Sequence, residues 1–346
     1  MLFGHRPLAG HRPLAYRAAP LVGGLAVLLL AAIAPALPLS ADDTLYLAID
    51  TSLLHGRGLS MPDGSPVLFR PPIYALSLLP GYALAGLGGA FATNLLFGAI
   101  AGVLLTVLGL RTAGLLGAAF ALGLGFGDVP ILRIIHSLRI DVLMTMLVLL
   151  AAVLTVRLAE HPGRRIGLVL GAVLGLAVLV KLTAALFLIV PLVVAYWTRG
   201  GHARLARLEA VLVVYLGFGL VLVPWWGWVY LVDGRLYLLP SAAGPAVVAG
   251  FILAGLGLLA LLFWAQRTRH RPRLERILAN AEGRTAATVT VIGLALWTFL
   301  ALGALFATEG LQDPGAGLRA VVRFAAGEFG PLLWPLGLAV AGMVYA

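Results

Sequence analysis

Two adjacent acids, Asp42 and Asp43, directly follow the first long apolar run of the chain. A carboxylate there can serve as a general base, taking a proton from an attacking hydroxyl or amine. Positive charge comes from two other places. Arg70 precedes Pro71 and Pro72, and Lys181 ends a Gly-rich apolar run. The lysine stands out because the other twenty-three basic residues are arginines. Arg offers phosphate a bidentate fork and Lys a point charge; snorkelling of Lys181 to lipid headgroups is the competing reading. A second cluster, Arg133, His136, Arg139 and Asp141, stands just ahead of another apolar run. His136 with nearby acids could hold a divalent cation, or it could hydrogen-bond lipid or water. Asp50 and Asp63 read as solvated loop acids. Glu309, Asp313 and Glu328 lie in a late polar segment and carry no motif.

These groups must be positioned by elements of an unusual kind. Of the 346 residues, 61% are hydrophobic and only 11% charged, where a soluble domain carries about 25% charged residues. Many apolar runs approach the roughly 20 residues that cross a bilayer as a helix. They are solid in Leu, Ala, Val and Gly rather than alternating, which argues for helices over a closed barrel. About ten segments qualify, so the sequence predicts an all-α polytopic integral membrane protein. No cysteine is present, which removes disulfides and Cys-based metal sites. The net charge of +10 sits in short clusters between apolar runs. That is the pattern of cytoplasmic loops, and it argues against a nucleic-acid partner.

The distribution of Arg gives an orientation. A small tandem duplication, Gly4–Ala9 and Gly10–Ala15, marks a basic cytoplasmic tail. The first span is expected over about Pro20–Leu39, retained rather than cleaved. Later segments are expected near 73–89, 90–110, 112–127, 140–158, 166–180, 182–198, 208–231, 245–265, 286–307 and 330–346. Loops 161–165, 199–207 and 267–284 are basic and read as internal. Parity then requires one early segment not to cross. The interrupted segment 73–89, with Pro80 and Gly81, is expected as a surface or re-entrant helix. Residues 41–72 and 128–140 become external loops, the first carrying surface helices. Leu45, Ile49 and Leu53 recur at helical spacing, which predicts a short amphipathic helix over 45–54. Trp225, Trp226, Trp228 and Tyr230 read as an aromatic belt at the outer interface, with a sugar- or lipid-binding role as the alternative. No repeat of spans is evident. The chain stops within its last apolar run and is expected to be a piece of a longer protein.

The stretch ADDTLYLAIDTSLLHGRGLSMPDGSPVLFRPPIYALSLL from Ala41 resembles the first external loop of GT-C glycosyltransferases of the protein O-mannosyltransferase and aminoarabinose-transferase type. The likeness rests on the pair Asp42-Asp43, on Tyr46, on a Gly-rich stretch and on Arg70-Pro71-Pro72. It departs in having Asp43 for the family's Glu and Arg70 where one branch has Lys. Two further matches follow in order. Ser137-Leu-Arg-Ile-Asp141 opens a long helix, and Gly171 to Lys181 forms a Gly-rich helix ending in a cation, with Val180 for Thr. The resemblance spans residues 20–230.

What the resemblance implies is a membrane glycosyltransferase. It would move a sugar from a polyprenyl-phosphate donor to a lipid, glycan or protein acceptor, with inversion at the anomeric carbon. Asp42 would be the base, and Asp43 would orient it or help bind a metal. Arg70 and Lys181 would hold the donor phosphate. Tyr46, His55, His136, Arg139 and Asp141 would lie near substrate or metal. A divalent ion, held by Asp43 and Asp141, is the one cofactor suggested. The expected setting is the cytoplasmic (inner) membrane with the site facing outward. Three parts follow: a basic tail over 1–19, a GT-C-like catalytic module over 20–232, and further transmembrane helices over 233–346. A transporter or flippase for a lipid-linked substrate is the alternative, and a non-catalytic scaffold is the second.

Overall fold

The computed structural model of the protein describes residues 14–61, 63–68, 71–181, 184, 187–188 and 201–234, the last with side chains from 209 onward. The described residues belong to one compact unit. They are helical, and no strand is present among them. The elements are α1 (Leu14–Ile33), α2 (Ala41–Leu54), α3 (Ile73–Phe126), α4 (Val129–His136), α5 (Ile140–Glu160), α6 (Arg164–Val180) and α7 (Gly201–Asp233). Four helices among the described residues are long and apolar enough to cross a membrane: α1, α3, α5 and residues 209–233 of α7. The segments expected at 245–265, 286–307 and 330–346, and nearly all of 182–198, lie outside the described residues.

The first helix is displaced from its expected place. It begins at Leu14, inside the expected tail, and ends at Ile33 rather than Leu39. Pro35 and Pro38 account for the early stop, since each disfavours helix at the residue before it. Residues 34–40 instead form an extended strap leading to α2.

Although continuous in hydrogen bonding, α3 is three antiparallel legs. The backbone leaves helical geometry at Ala85–Gly86 and again at Ala113–Gly114. At each corner the glycine takes a conformation that is almost exclusively glycine's, with φ 56° and ψ −140° at Gly86, and φ 65° and ψ −148° at Gly114. The same spacing surrounds both corners: Gly81-x₃-Ala85-Gly86-x₂-Gly89 and Gly109-x₃-Ala113-Gly114-x₂-Gly117. The outer glycines explain it. A Cβ on Gly117 would lie 2.5 Å from the Gly109 carbonyl oxygen, and one on Gly109 would lie 2.6 Å from Ala118 Cα. Gly81 and Gly89 face one another with the same lack of room. Two legs can touch backbone to backbone only where no side chain intervenes. The expected boundary between segments 90–110 and 112–127 falls close to the second corner. The first leg, 73–84, would reach only about 18 Å as a helix.

Against this corner-turned helix, α1 packs antiparallel through Gly23, Gly24 and Val27, which meet Thr106, Ala99 and Gly102. Its other face, with Leu21, Leu25, Leu29 and Ile33, is exposed, as suits a lipid-facing surface. A second close seam joins α6 to α7. Gly167, Gly171 and Gly175 recur every fourth residue on one face of α6. They lie against the Ala210 carbonyl, the Val214 carbonyl and Val221 of α7. Side-chain ion pairs tie the opposite end of the bundle: Arg111 to Glu160 at 3.0 Å and Arg164 to Glu209 at 2.5 Å.

Candidate active site

Of the charged residues singled out by sequence, Asp42, Asp43, Arg139, Asp141 and Lys181 come together at one end of the bundle, and helix geometry explains why. Ser40 caps α2: its hydroxyl accepts from the Asp43 N–H at 3.3 Å, and Asp43 Oδ2 accepts from the Ser40 N–H at 2.6 Å. This reciprocal box satisfies two donors that a helix start otherwise leaves unpaired. Asp42 and Asp43 therefore occupy the first turn of α2, where the helix dipole favours negative charge. Asp141 likewise sits in the first turn of α5, and Lys181 directly follows the last turn of α6. Each charge stands at the helix end that suits its sign.

Two ion pairs join these three helix ends. Arg139 Nη1 lies 3.3 Å from Asp43 Oδ2, and Lys181 Nζ lies 2.7 Å from Asp141 Oδ1. Asp43 is 3% exposed, so its carboxylate is fully committed to Ser40 and Arg139. Asp42 is exposed on the opposite side of the same turn. The Lys181–Asp141 pair is partly open to solvent.

Tyr46 is buried and meets the Tyr74 ring edge-on, with centroids 4.9 Å apart. The Tyr74 hydroxyl shares its electrostatic surroundings with Asp43, Tyr46, Asp141 and Asp50. It donates to Asn94 Oδ1 at 3.2 Å, while Asn94 Nδ2 donates to the carbonyls of Ile135 and Ser137. Asn94 thus ties the second leg of α3 to the turn before α5. No charge marks Asn94 in the sequence, although a lone amide inside an apolar helix is itself a signal.

The second-loop cluster has another engagement. Arg133 Nε donates to the Pro35 carbonyl at 3.3 Å, Arg139 Nη2 to Pro38 at 3.4 Å, and His136 Nδ1 to Ala34. A carbonyl can only accept, so His136 Nδ1 carries the hydrogen. Ser137 Oγ accepts from the Leu37 N–H at 2.7 Å. These four side chains satisfy the strap between α1 and α2, and so fix where α2 begins. His55, by contrast, lies at the far end of α2, where its Nδ1 is 2.7 Å from the Thr51 carbonyl. Twelve residues of helix separate it from Asp43, about 18 Å of rise.

Asp50, expected as a solvated loop acid, is fully buried. The seated face of α2 carries Asp43, Tyr46, Ile49 and Asp50, whereas the expected face is Leu45, Ile49 and Leu53. Desolvation pushes the Asp50 carboxyl up to about 7. Asp63 is exposed as expected, and hydrogen bonds from Ser65 hold its carboxyl below the usual range. Arg70 lies outside the described residues. Among the described residues, no three of His, Asp and Glu gather as a metal-ligand set.

Residues 70–228 match the family model of dolichyl-phosphate-mannose-protein mannosyltransferases. The match covers 159 of the chain's 346 residues and supports a likeness to GT-C glycosyltransferases. The matched segment holds Arg70, His136, Arg139, Asp141 and Lys181, and begins after Asp42 and Asp43. The first-loop pair is tied to it by the Asp43–Arg139 contact. No curated protein and no solved structure matches the chain.

Proposed function

We propose that the chain is a membrane glycosyltransferase that takes its sugar from a polyprenyl-phosphate donor and transfers it, by direct displacement, to an acceptor on the external face. The observation that carries the reading is the pair of contacts Asp43–Arg139 and Asp141–Lys181. Through them, an exposed carboxylate, Asp42, shares one bundle end with a partly open ammonium, Lys181.

Such a displacement needs two things from the protein. Asp42 takes the proton of the acceptor hydroxyl or amine as its oxygen or nitrogen attacks the anomeric carbon. The bond from that carbon to the phosphate oxygen breaks on the opposite side, which inverts the centre. The departing lipid phosphate gains negative charge, and Lys181, with Arg70, is the cation that stabilises it. Lys181 already has a counter-anion in Asp141, so an arriving phosphate replaces one acceptor by another without exposing a bare ammonium. Asp43 positions rather than reacts, since both its partners hold it at the head of α2.

The test is transfer from a radiolabelled polyprenyl-phosphate sugar to a membrane extract by detergent-purified protein. Asp42→Asn should lose about 10²–10⁴ in rate, the usual cost of removing a general base, with donor binding unchanged. Wild-type rates in Asp42→Asn would remove it as the base. No transfer by the wild type with any of several donors would favour a transporter.

A further inference from the structure

Among the described residues, Asp50 is the one fully buried acid for which the mechanism has no use. It lies seven residues from Asp43, two turns along the same seated face of α2. Neither carboxyl oxygen has a hydrogen-bond partner among the described residues. The other polar groups on that seam are paired. Asp43 has Ser40 and Arg139, Thr51 meets the Tyr82 hydroxyl at 3.1 Å, and Ser52 meets Ser60 at 2.6 Å. Tyr74 on α3 interacts with Asp50, and also with Asp43 and Tyr46 on α2 and Asp141 at the head of α5. The cations Arg139 and Lys181 are engaged by Asp43 and Asp141, and neither compensates Asp50. A buried carboxyl without a partner is tolerable as a neutral acid and very costly as an anion.

We propose that Asp50 is a positioning residue whose proton seats α2 on α3, so that the alignment of Asp42 is coupled to protonation two turns away. The proposal adds a control element to the glycosyltransferase reading, and its seating step does not depend on that reading.

The direction follows from the acid's preference for its proton when buried. A lifted α2 returns Asp50 to water and to an ordinary carboxylate, near 3.8; the seated form holds its proton up to about 7. Between those values the seated state binds more protons than the lifted one. Seating is therefore strongest in acid and weakens by up to about tenfold per pH unit until Asp50 has ionised.

A near-isosteric reporter can read this without substrate. The native chain has no cysteine. Ala75 is fully buried in the cluster that also holds Tyr46 and Ile49. Ala75→Cys should become reactive toward a hydrophilic maleimide only when α2 lifts, and Arg57→Cys, at an exposed position, normalises the reagent's own pH dependence. The quantity read is the labelling rate of Ala75→Cys divided by that of Arg57→Cys. With purified full-length protein in detergent, that ratio should rise at least about tenfold from pH 5 to 7.5. Asp50→Asn, a permanently neutral amide, should flatten that rise, and so should Asp50→Leu. A ratio that does not change with pH in the wild-type background would overturn the proposal. So would an equal rise in Asp50→Asn, which would place the titrating group elsewhere. If transfer fails in every assay while the ratio behaves as described, the glycosyltransferase reading falls and the seating of α2 stands.

Discussion

The two ends of the seam network are built on opposite physical terms. At the α2 end, residues distant in sequence meet through charge and hydrogen bonds: Asp43 with Arg139, Asp141 with Lys181, and Asn94 with Ser137. In the bundle, α6 and α7 and the legs of α3 meet through the absence of side chains, at Gly167, Gly171, Gly109 and Gly117. The first kind of contact depends on protonation and on ligands. The second depends only on shape. A membrane enzyme gains from that division, because the bilayer gives helices no hydrophobic reason to choose each other. A shape-defined bundle holds helix ends in place while the chemistry at those ends changes charge.

If the division is real, substitutions at the two regions should fail differently. The largest effect on transfer belongs to Asp42→Asn, which should lose about 10²–10⁴ in rate and leave thermal unfolding in detergent within about 0.5 kcal/mol of wild type. A large loss of stability in that variant would erase the distinction. Gly171→Val should do the reverse. Its side chain meets the Val214 carbonyl and the Phe218 N–H, so overpacking should cost about 1–3 kcal/mol or more. Stability and activity should fall together, as thermal unfolding and transfer measured on one preparation would show.

Asn94→Ala lies between the regions. It strips a donor from two carbonyls and an acceptor from Tyr74. A buried polar group left unsatisfied costs about 1–3 kcal/mol, so the unfolding temperature should drop while donor affinity holds. Lys181→Ala should weaken binding of the polyprenyl-phosphate donor by about 1.5–3 kcal/mol, read by isothermal titration. Unchanged affinity there would assign Lys181 to Asp141 alone. The smallest effect should come from Arg111→Ala. Its pair with Glu160 is partly exposed, and such pairs contribute about 0–1 kcal/mol.

The charged end is legible in sequence because charge inside an apolar chain is rare and has few reasons to be there. Asp43, Arg139, Asp141 and Lys181 are each identifiable singly, and the structure supplies their pairing. Periodicity cannot supply it, since the partners are separated by 40 residues in one case and 96 in the other. Asp50 escapes for a different reason. Apolar spacing alone puts Leu45 and Leu53 on the buried face, whereas Tyr46 and its contact with Tyr74 turn α2 so that Asp50 faces inward. Asn94 escapes because no charge marks it. The strap over 34–40 reads as the end of a span because Leu37 and Leu39 are apolar, and its two prolines outweigh them.

The two corners of α3 carry a lesson for biogenesis. From Ile73 to Phe126 the only charged side chain is Arg111, so a hydropathy profile offers almost no polar punctuation to tell an insertion machinery where to reverse. The reversal is written in backbone permissiveness instead, at Gly86 and Gly114. A methyl group at either position would ask the chain for a conformation that L-residues rarely adopt. The damage would reach beyond a local strain. At Gly114, where the corner joins two longer legs, straightening would remove one crossing, and every later segment would then arrive on the opposite side of the bilayer. One hydrogen atom, on Gly114, stands guard over whether Asp141 and Lys181 keep the side on which they are placed.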